Sequence, residues 1–425
     1  MNKKEEAYLR KHNMKLYPLY VTFGSDLLFY YGVKILFFSQ AKYLSDANIV
    51  FLSTVFALTS LISLVVANFV NGKIGNRKTL IIGDFINAIS MLVLIVGNGF
   101  VQMAIAEMLN AIAFSLKNIS TGPMLEESIP KTSKKSEIFS RIDGKAYFRY
   151  CIFSAIATFT AGFLYNIDPY IPMWLCLLCT VISIIISFNF KEIEQNKSDR
   201  QKDVIKVVKE LKEGFIYTIK SKRIRALLLC LGFMWGVFIL YMTYQTTLLK
   251  NMNISATKIG IIAMLLEIIK GYGGRFANKY NNVMKNKSLT TLSLIISISF
   301  VIAGIGGLLK IPFVLQMIII LFAFVTIDVN RGLYIVLYKK YDNNFSNAKI
   351  LPTIYTMTNI YWNFERVIIT TIGSLVLTFV EVRYGFIIMG MIFIIVTILI
   401  GLYMKNRVGL RPEDYDNEDI KYAQK

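Results

Sequence analysis

Charged residues inside long apolar segments are the part of this sequence most able to do chemistry. A charged side chain at the centre of a bilayer costs about 2.5–3.5 kcal/mol on insertion scales, so it is expected to be paired or functional. Asp26 and Glu107 each lie in such a segment with no charged residue one helical turn away. A buried carboxylate that gains and loses a proton can couple transport to a proton gradient. We therefore take these two as the leading candidates for proton sites.

Other charged residues in apolar segments come in pairs. Glu267 and Lys270 are three residues apart, as are Asp328 and Arg331, and this spacing places each pair on one helical face. Such a pair either neutralises its own charges and holds helices together, or contains a carboxylate that titrates as its cation moves. Of these four residues, Glu267 is the third proton-site candidate, and Lys270, Asp328 and Arg331 are candidates for a substrate cavity. The fourth proton-site candidate, Glu365, lies beside a polar stripe at helical spacing, whose members are also cavity candidates: Asn359, Asn363 and Arg366.

The remaining candidates for a substrate cavity are polar or aromatic. Most aromatic side chains in such segments pack in the core or lie at the membrane interface. A minority that line a cavity would suit an amphipathic or cationic ligand. The candidates are Tyr30, Lys34, Asn110, Trp235, Tyr244 and Gln245.

The sequence argues against several kinds of chemistry. The single histidine, His12, lies in the polar N-terminus, and the four cysteines lie in apolar runs, so we expect no metal site and no catalytic triad. Cys176 and Cys179 have a CxxC spacing, but small core residues are the better interpretation. No G-x-x-x-x-G-K-[ST] motif occurs, which argues against an ATP-driven pump. We predict no enzyme activity and no cofactor, with a proton gradient as the energy source. A channel and a scaffold without transport remain alternatives.

Composition favours a polytopic membrane protein. The 425 residues are 55% hydrophobic and 17% charged, and the charge is gathered into a few loops. A span needs about 20 mostly apolar residues. The sequence predicts an all-α membrane protein with about twelve spans, near residues 17–40, 49–70, 79–97, 100–121, 145–166, 170–190, 226–249, 258–277, 288–308, 311–335, 352–378 and 384–404.

The longest polar interruption divides the chain into two similar halves. The predicted organisation is a six-helix bundle at 1–190, a basic linker at 191–225, a second six-helix bundle at 226–404 and a tail at 405–425. Within the linker, apolar residues from Val204 onward recur at helical spacing, which predicts a basic amphipathic helix at the anionic inner leaflet. A solvated linker is the alternative.

Lysine and arginine placement predicts the orientation. The N-terminus, the central linker, the tail and every second loop are rich in both residues, whereas the opposite loops hold Lys42, Lys250, Lys258, Lys310 and Arg383. The positive-inside rule therefore predicts a cytoplasmic (inner) membrane protein with both termini cytoplasmic. The net charge of +20 is explained by these loops, so no nucleic-acid partner is expected. No removable signal peptide is expected either. The expected partners are a small-molecule substrate and membrane lipids, with no obligate protein partner.

Charge also avoids every third span. Predicted spans six, nine and twelve carry no charged residue, and span three carries only Asp84, near its cytoplasmic end. We infer that these four spans face lipid or pack peripherally, and that the others surround a polar central cavity near the middle of the membrane.

Two loops carry a recognisable motif. Residues 68–78, NFVNGKIGNRK, partly match the pattern Gly-x-x-x-Asp-Arg-x-Gly-Arg-Lys, with Gly72 in place of its Asp. Residues 274–279, GRFANK, match its start, with Asn278 in the Asp position. On these motifs the chain resembles the major facilitator superfamily along essentially its whole length. The resemblance implies two rocking bundles and a latch, at the acid's position, that caps a neighbouring helix. The motif residues are Gly72, Lys73, Gly75, Arg77, Gly274, Asn278 and Lys279.

The segment that contains Glu107 is similar to the drug-exporter-like members of that superfamily. They carry an acid where uptake-type relatives often have arginine, although the Gly-Pro-rich antiporter pattern of the fifth span is missing here. The resemblance implies proton-coupled efflux of an amphipathic or drug-like compound. Proton-coupled uptake of a small metabolite, and flipping or export of a lipid-like or peptide product, are the alternatives.

Overall fold

The structure is a computed structural model, and it describes residues 3–130, 135–191, 193, 209, 212–218, 220–284, 287–344 and 351–405. Within these ranges the chain is helical and contains no strand. The helices are α1 (Lys3–Gly24), α2 (Lys34–Leu36), a π-helix (Phe37–Ala41), α3 (Asp46–Ile74), α4 (Asn76–Val96), α5 (Phe100–Ser128), α6 (Lys135–Ile167), α7 (Ile171–Asn189), α8 (Lys222–Asn251), α9 (Ala256–Arg275), α10 (Ala277–Met284), α11 (Ser288–Leu308), α12 (Phe313–Asn344), α13 (Leu351–Phe379) and α14 (Val382–Lys405).

Nine helices of the described residues are long and apolar enough to cross a membrane. They are α3 to α8, α11, α12 and α14, and each overlaps a predicted span. The all-helical, multi-pass character predicted from the sequence is therefore confirmed. The other three predicted spans fall on α1, α9 and α13, which are richer in polar residues. The count of twelve spans stays a prediction.

The first predicted span, residues 17–40, is wrong as a continuous helix. α1 ends at Gly24, residues 25–33 form turns, and Phe29 has a φ of 66°. The Asp26 carboxylate accepts a hydrogen bond from the Leu27 N–H at 3.0 Å. Aspartate side chains that bond neighbouring backbone groups in this way compete with helical hydrogen bonding. The interruption therefore starts at a residue predicted to be functional.

The chain divides into two compact units. Unit 1 is Met1–Leu44, Val55–Val208 and Ser255–Ile261, and unit 2 is Ser45–Thr54, Lys209–Ile254 and Ile262–Lys425. The predicted bundles and their boundaries stay a prediction. Residues 212–218 of the predicted amphipathic helix are helical, whereas Val204 and most of the linker, like the tail after Lys405, lie outside the described residues.

Each unit has its own helix packing. In unit 1, α4 packs mainly against α5 and α7, and α1 packs against α6 and α7. Tyr20, Leu80, Met124 and Phe190 form one buried apolar cluster there. In unit 2, α11 packs against α12 and α14, while α8 packs against α13. These contacts fix the helix faces on which the polar residues lie.

Two glycines bring the backbones of α9 and α12 together in unit 2. A Cβ atom added at Gly332 would overlap the carbonyl oxygen of Lys270, and one added at Gly273 would overlap that of Val329. Only glycine fits at both positions. This close crossing sets Lys270 of α9 beside Arg331 of α12.

Gly332→Ala is expected to destabilise the protein by about 1–3 kcal/mol or more, because overpacking at a backbone contact forces the helices apart. Gly271→Ala is the matched control, since a Cβ there meets nothing within 4 Å. Thermal unfolding of the purified protein in detergent measures both. Equal unfolding temperatures for the two variants would contradict this account of the crossing.

Candidate functional site

Glu107 of α5 forms a buried ion pair with Lys34 in unit 1. Its side chain is 1% exposed. Its Oε1 accepts a hydrogen bond from the Tyr30 hydroxyl at 2.6 Å and lies 2.7 Å from the Lys34 Nζ. Within the described residues its Oε2 is buried without a hydrogen-bond partner. Three sequence-predicted residues, Tyr30, Lys34 and Glu107, are thus brought together by the irregular segment that follows α1.

The Lys34 ammonium group is also surrounded by aromatic rings. Its Nζ lies 5.3 Å from the ring centroid of Tyr30, 5.9 Å from that of Tyr31 and 5.7 Å from that of Phe38. A cation within about 6 Å of a ring centroid is attracted by the negative face of the ring. We call this set of three rings and Glu107 the ammonium cage.

Asp26 lies beside a small polar cavity in the same unit. Its Oδ2 accepts a hydrogen bond from the Tyr150 hydroxyl at 2.9 Å, and its Oδ1 accepts the Leu27 N–H. The cavity has a volume of about 10 Å³, about the least that holds one water molecule. Asn110 and Lys117 also line it. Asp26, a predicted proton site, and Asn110, a predicted cavity residue, therefore line the same small cavity.

A second buried ion pair in unit 1 was missed by the sequence analysis. The Nζ of Lys117 on α5 lies 3.4 Å from Oδ1 of Asp84 on α4, with side chains 8% and 0% exposed. The same oxygen accepts a hydrogen bond from Ser183 of α7 at 2.9 Å and one from Tyr20 of α1 at 3.4 Å. A lone lysine inside the predicted fourth span was the available signal.

That spans three and six face lipid or pack peripherally stays a prediction, but one face of each is buried inside unit 1. α4 and α7 expose apolar side chains on one side, but they turn Asp84 and Ser183 into the interior of unit 1. Charge counts along a span do not reveal which face carries the charge. The buried network joins α1, α4, α5 and α7.

Unit 2 contains the two pairs expected from spacing. Asp328 lies 3.5 Å from Arg331, and its Oδ2 accepts a hydrogen bond from the Tyr241 hydroxyl at 2.8 Å. Glu267 pairs with Lys270 and lies 3.3 Å from Arg331. The four charged residues form one network across α9 and α12, so the expected pairing is confirmed.

Other cavity candidates in unit 2 are part of its packing. Tyr244 is fully buried and donates a hydrogen bond to the Gly373 carbonyl at 2.8 Å. Gln245 is also buried. The Trp235 ring stacks on Trp362 at a centroid distance of 4.5 Å. Tyr244 and Gln245 therefore contribute to helix packing in this structure.

The polar stripe on α13 is only partly buried. Asn363 donates a hydrogen bond to the Asn359 carbonyl at 3.0 Å, so these two side chains follow one helical face as expected. Arg366 and Glu365 are half-buried on the following turn. Glu365 packs against Gly232 of α8, where an added Cβ would lie 2.8 Å from the Glu365 Cγ.

In the first motif loop, a hydrogen-bond network begins at Asn71, the residue before Gly72. Gly72, the residue in the Asp position, has no side chain to cap a helix. Asn71 instead donates to Asn76 at 2.9 Å, and Asn76 donates to Glu127 of α5 at 2.7 Å. The side-chain hydrogen bonds of this loop therefore come from Asn71 and Asn76, and the latch stays a prediction.

The other motif residues have separate roles. Gly75 has a φ of 85° and joins α3 to α4, a conformation that favours glycine. Arg77 donates to the Phe188 carbonyl at 2.9 Å, and the Lys73 ammonium lies 4.2 Å from the Phe69 ring centroid. In the second loop Gly274 lies at the α9–α12 crossing, whereas Asn278 and Lys279 are exposed on α10.

Lys117→Met is expected to destabilise the protein by about 3 kcal/mol, because it leaves the Asp84 carboxylate buried without its cation. The double variant Lys117→Met/Asp84→Asn should recover most of that loss. Chemical denaturation in detergent of the unaltered protein, the double variant and the two single variants, Lys117→Met and Asp84→Asn, measures the coupling. Additive losses in the double variant would show that the pair does not interact.

Comparisons with known proteins identify the family and the fold. Residues 18–369 match the family model described as Major Facilitator Superfamily. No curated protein sequence matches the chain. Among solved structures, the nucleoside transporter NupG is 10% identical and covers 93% of this chain and 99% of its own, with a TM-score of 0.64. A D-xylose-proton symporter (11% identity, 95% and 98% coverage, TM-score 0.64) and the peptide transporter POT in complex with sulfate (9%, 95% and 95%, 0.64) have the same fold. The family match covers most of the chain, and the chain is therefore a member of the Major Facilitator Superfamily, a transporter and not an enzyme.

Proposed function

We propose that this protein is a proton-coupled secondary transporter that exports an amphipathic or drug-like small molecule by alternating access. It would lie in the cytoplasmic membrane with both termini in the cytoplasm, as the placement of lysine and arginine predicts. The export direction rests on the similarity of the Glu107 segment to drug-exporter-like members. The energy source would be the proton gradient alone.

The observation that carries the proposal is the set of buried carboxylates in unit 1. Glu107 and Asp84 are 1% and 0% exposed, and each is held by a lysine from another element or helix. Asp26 has no such ion pair among the described residues and lies at a cavity with room for one water. Ion pairs that only hold helices together would not require a further buried carboxylate, Asp26, beside a cavity the size of a water molecule.

Protonation would change the energy of closing this region. An ionised carboxylate taken out of water without a paired cation costs several kcal/mol, whereas the neutral acid costs much less. The Asp26 carboxyl could load a proton from the water in its cavity. Lys117, which lines the same cavity and contacts Asp84, would compensate the charge when that proton leaves.

Glu107 is the second proposed proton site. Its cation, Lys34, belongs to a three-residue helix between a turn segment and a π-helix. A lysine on such irregular backbone can move away with little loss of regular hydrogen bonding, and the proton would take over the charge that it leaves. In this way either carboxylate can link proton binding to a conformational change.

Asp26→Asn and Glu107→Gln are each expected to reduce proton-coupled flux to the level of empty liposomes, because neither amide can carry the proton. Both variants should still insert in the membrane. Asp168→Asn is the matched control, since Asp168 is exposed in the turn between α6 and α7. Full coupled flux in both Asp26→Asn and Glu107→Gln would contradict the assignment.

The direct test of the function uses proteoliposomes with an imposed proton gradient and an internal pH dye. The panel comprises lipophilic cations, macrolide-like drugs and short peptides. Proton movement provoked by one class would support coupled transport and name that class. Silence across the panel with folded protein would favour metabolite uptake or lipid flipping instead.

A further inference from the structure

We propose that the ammonium cage of unit 1 is a binding site for an organic ammonium group, and that the Lys34 side chain occupies it as an internal substitute. The ligand class is a primary or secondary alkyl ammonium compound with an apolar or aromatic body. The assignment of this ligand as the transported substrate rests on the proposed function. The binding site itself rests on geometry alone.

The cage has the two elements by which proteins hold ammonium groups. Three aromatic rings surround the Lys34 Nζ at centroid distances between 5.3 and 5.9 Å, and the Glu107 carboxylate lies at 2.7 Å. Ring faces supply a diffuse negative potential, and the carboxylate supplies a charged acceptor. Two further buried lysines of unit 1 each lack one of these elements among the described contacts. Lys117 pairs with Asp84 but has no aromatic ring around its ammonium. Lys42 lies over the rings of Phe37 and Tyr170 but donates to backbone carbonyls instead of a carboxylate.

One atom of the cage has unused capacity. The Glu107 Oε2 is buried and accepts no hydrogen bond within the described residues. A buried acceptor without a partner costs about 1–3 kcal/mol, or more when it is charged. Lys34 and Tyr30 both approach Oε1 and leave Oε2 unused. An ammonium group placed between the two oxygens would donate to both, which a lysine tethered at this position does not do.

The charges at the site favour a cation over an anion. The positive charge of Lys34 is already neutralised by Glu107, and the unused atom is an acceptor. An anionic ligand would face the negative faces of three rings and a carboxylate. It could bind only through Lys34, and it would then have to separate that lysine from Glu107.

Exposure indicates how a ligand reaches the cage. Tyr30 and Phe38 are fully buried, whereas Tyr31 is 44% exposed and the Lys34 side chain is 16% exposed. The cage is therefore open on the side of Tyr31. The four-carbon stem of Lys34 lets its ammonium leave by the same side as a ligand enters. The lysine and the ligand then compete for Glu107.

Because of this competition, removing the lysine should change the binding affinity in a predictable direction. Lys34→Met removes the competing ammonium and keeps a four-atom apolar stem, so it should raise the affinity for phenethylammonium at least tenfold. A site that used Lys34 to bind an anion would instead lose phenylacetate binding. The probes are phenethylammonium, phenethyl alcohol and phenylacetate, which share an aromatic body and differ in charge. Isothermal titration calorimetry on the full chain in nanodiscs measures all three.

Thermal unfolding provides a second measurement if Lys34→Met is too unstable for calorimetry. The variant leaves Glu107 buried without its cation, so phenethylammonium should raise its unfolding temperature more than that of the unaltered protein, and phenethyl alcohol should not. Lys117→Met is the matched control, because it strands Asp84 in the same way but outside the cage. Phenethylammonium should not rescue it.

Tyr31→Leu tests the rings without touching the ion pair. It should weaken phenethylammonium binding several-fold, whereas Tyr31→Phe, which loses only the hydroxyl that hydrogen-bonds Asp26, should not. The proposal is overturned if Lys34→Met loses affinity for the ammonium probe, if the alcohol rescues equally, or if Lys117→Met is rescued as well. All of these measurements are made without a proton gradient. Failure of coupled transport would therefore leave the binding result intact, and failure of binding would leave the test of coupling intact.

Discussion

The cost of burying a carboxylate in an apolar environment is the constraint on which this structure depends. A buried carboxylate loses its hydration, and a nearby cation and hydrogen-bond donors compensate for that loss. In unit 1 Asp26 and Glu107 each accept a hydrogen bond from a tyrosine hydroxyl, that of Tyr150 and that of Tyr30. Asp84 accepts from both Tyr20 and Ser183. The bulk of a tyrosine ring fills apolar space while its hydroxyl reaches the charge.

Each unit stabilises a buried carboxylate with a tyrosine hydroxyl and a nearby cation. Tyr30 donates to Glu107 beside Lys34 in unit 1, and Tyr241 donates to Asp328 beside Arg331 in unit 2. The cation differs in position. In unit 1 it belongs to the irregular segment after α1, whereas in unit 2 it lies one turn along the same helix as the acid. A cation fixed on a regular helix is less free to move, which is a physical reason to place proton exchange in unit 1.

The sequence predicted those features that depend on spacing within one segment. The apolar helices and the pairs Glu267–Lys270 and Asp328–Arg331 follow from periodicity and the three-residue offset. The contacts of Asp84 with Lys117 and of Glu107 with Lys34 join different helices, and they depend on helix rotation, which periodicity alone does not fix. The end of α1 at Gly24 was missed for a related reason. A hydropathy window averages over residues 25–33, whereas the helix is interrupted beside a single residue, Asp26, whose carboxylate accepts the Leu27 N–H.

The central claim is that the carboxyl group of Asp26 or of Glu107 changes its protonation state. Infrared difference spectroscopy of the protein in nanodiscs, taken between alkaline and acidic pH, observes the C=O stretch of protonated carboxyl groups directly. The account predicts a band that appears on acidification in the unaltered protein and is reduced in Asp26→Asn or in Glu107→Gln. Identical difference spectra for the unaltered protein and both variants would contradict it.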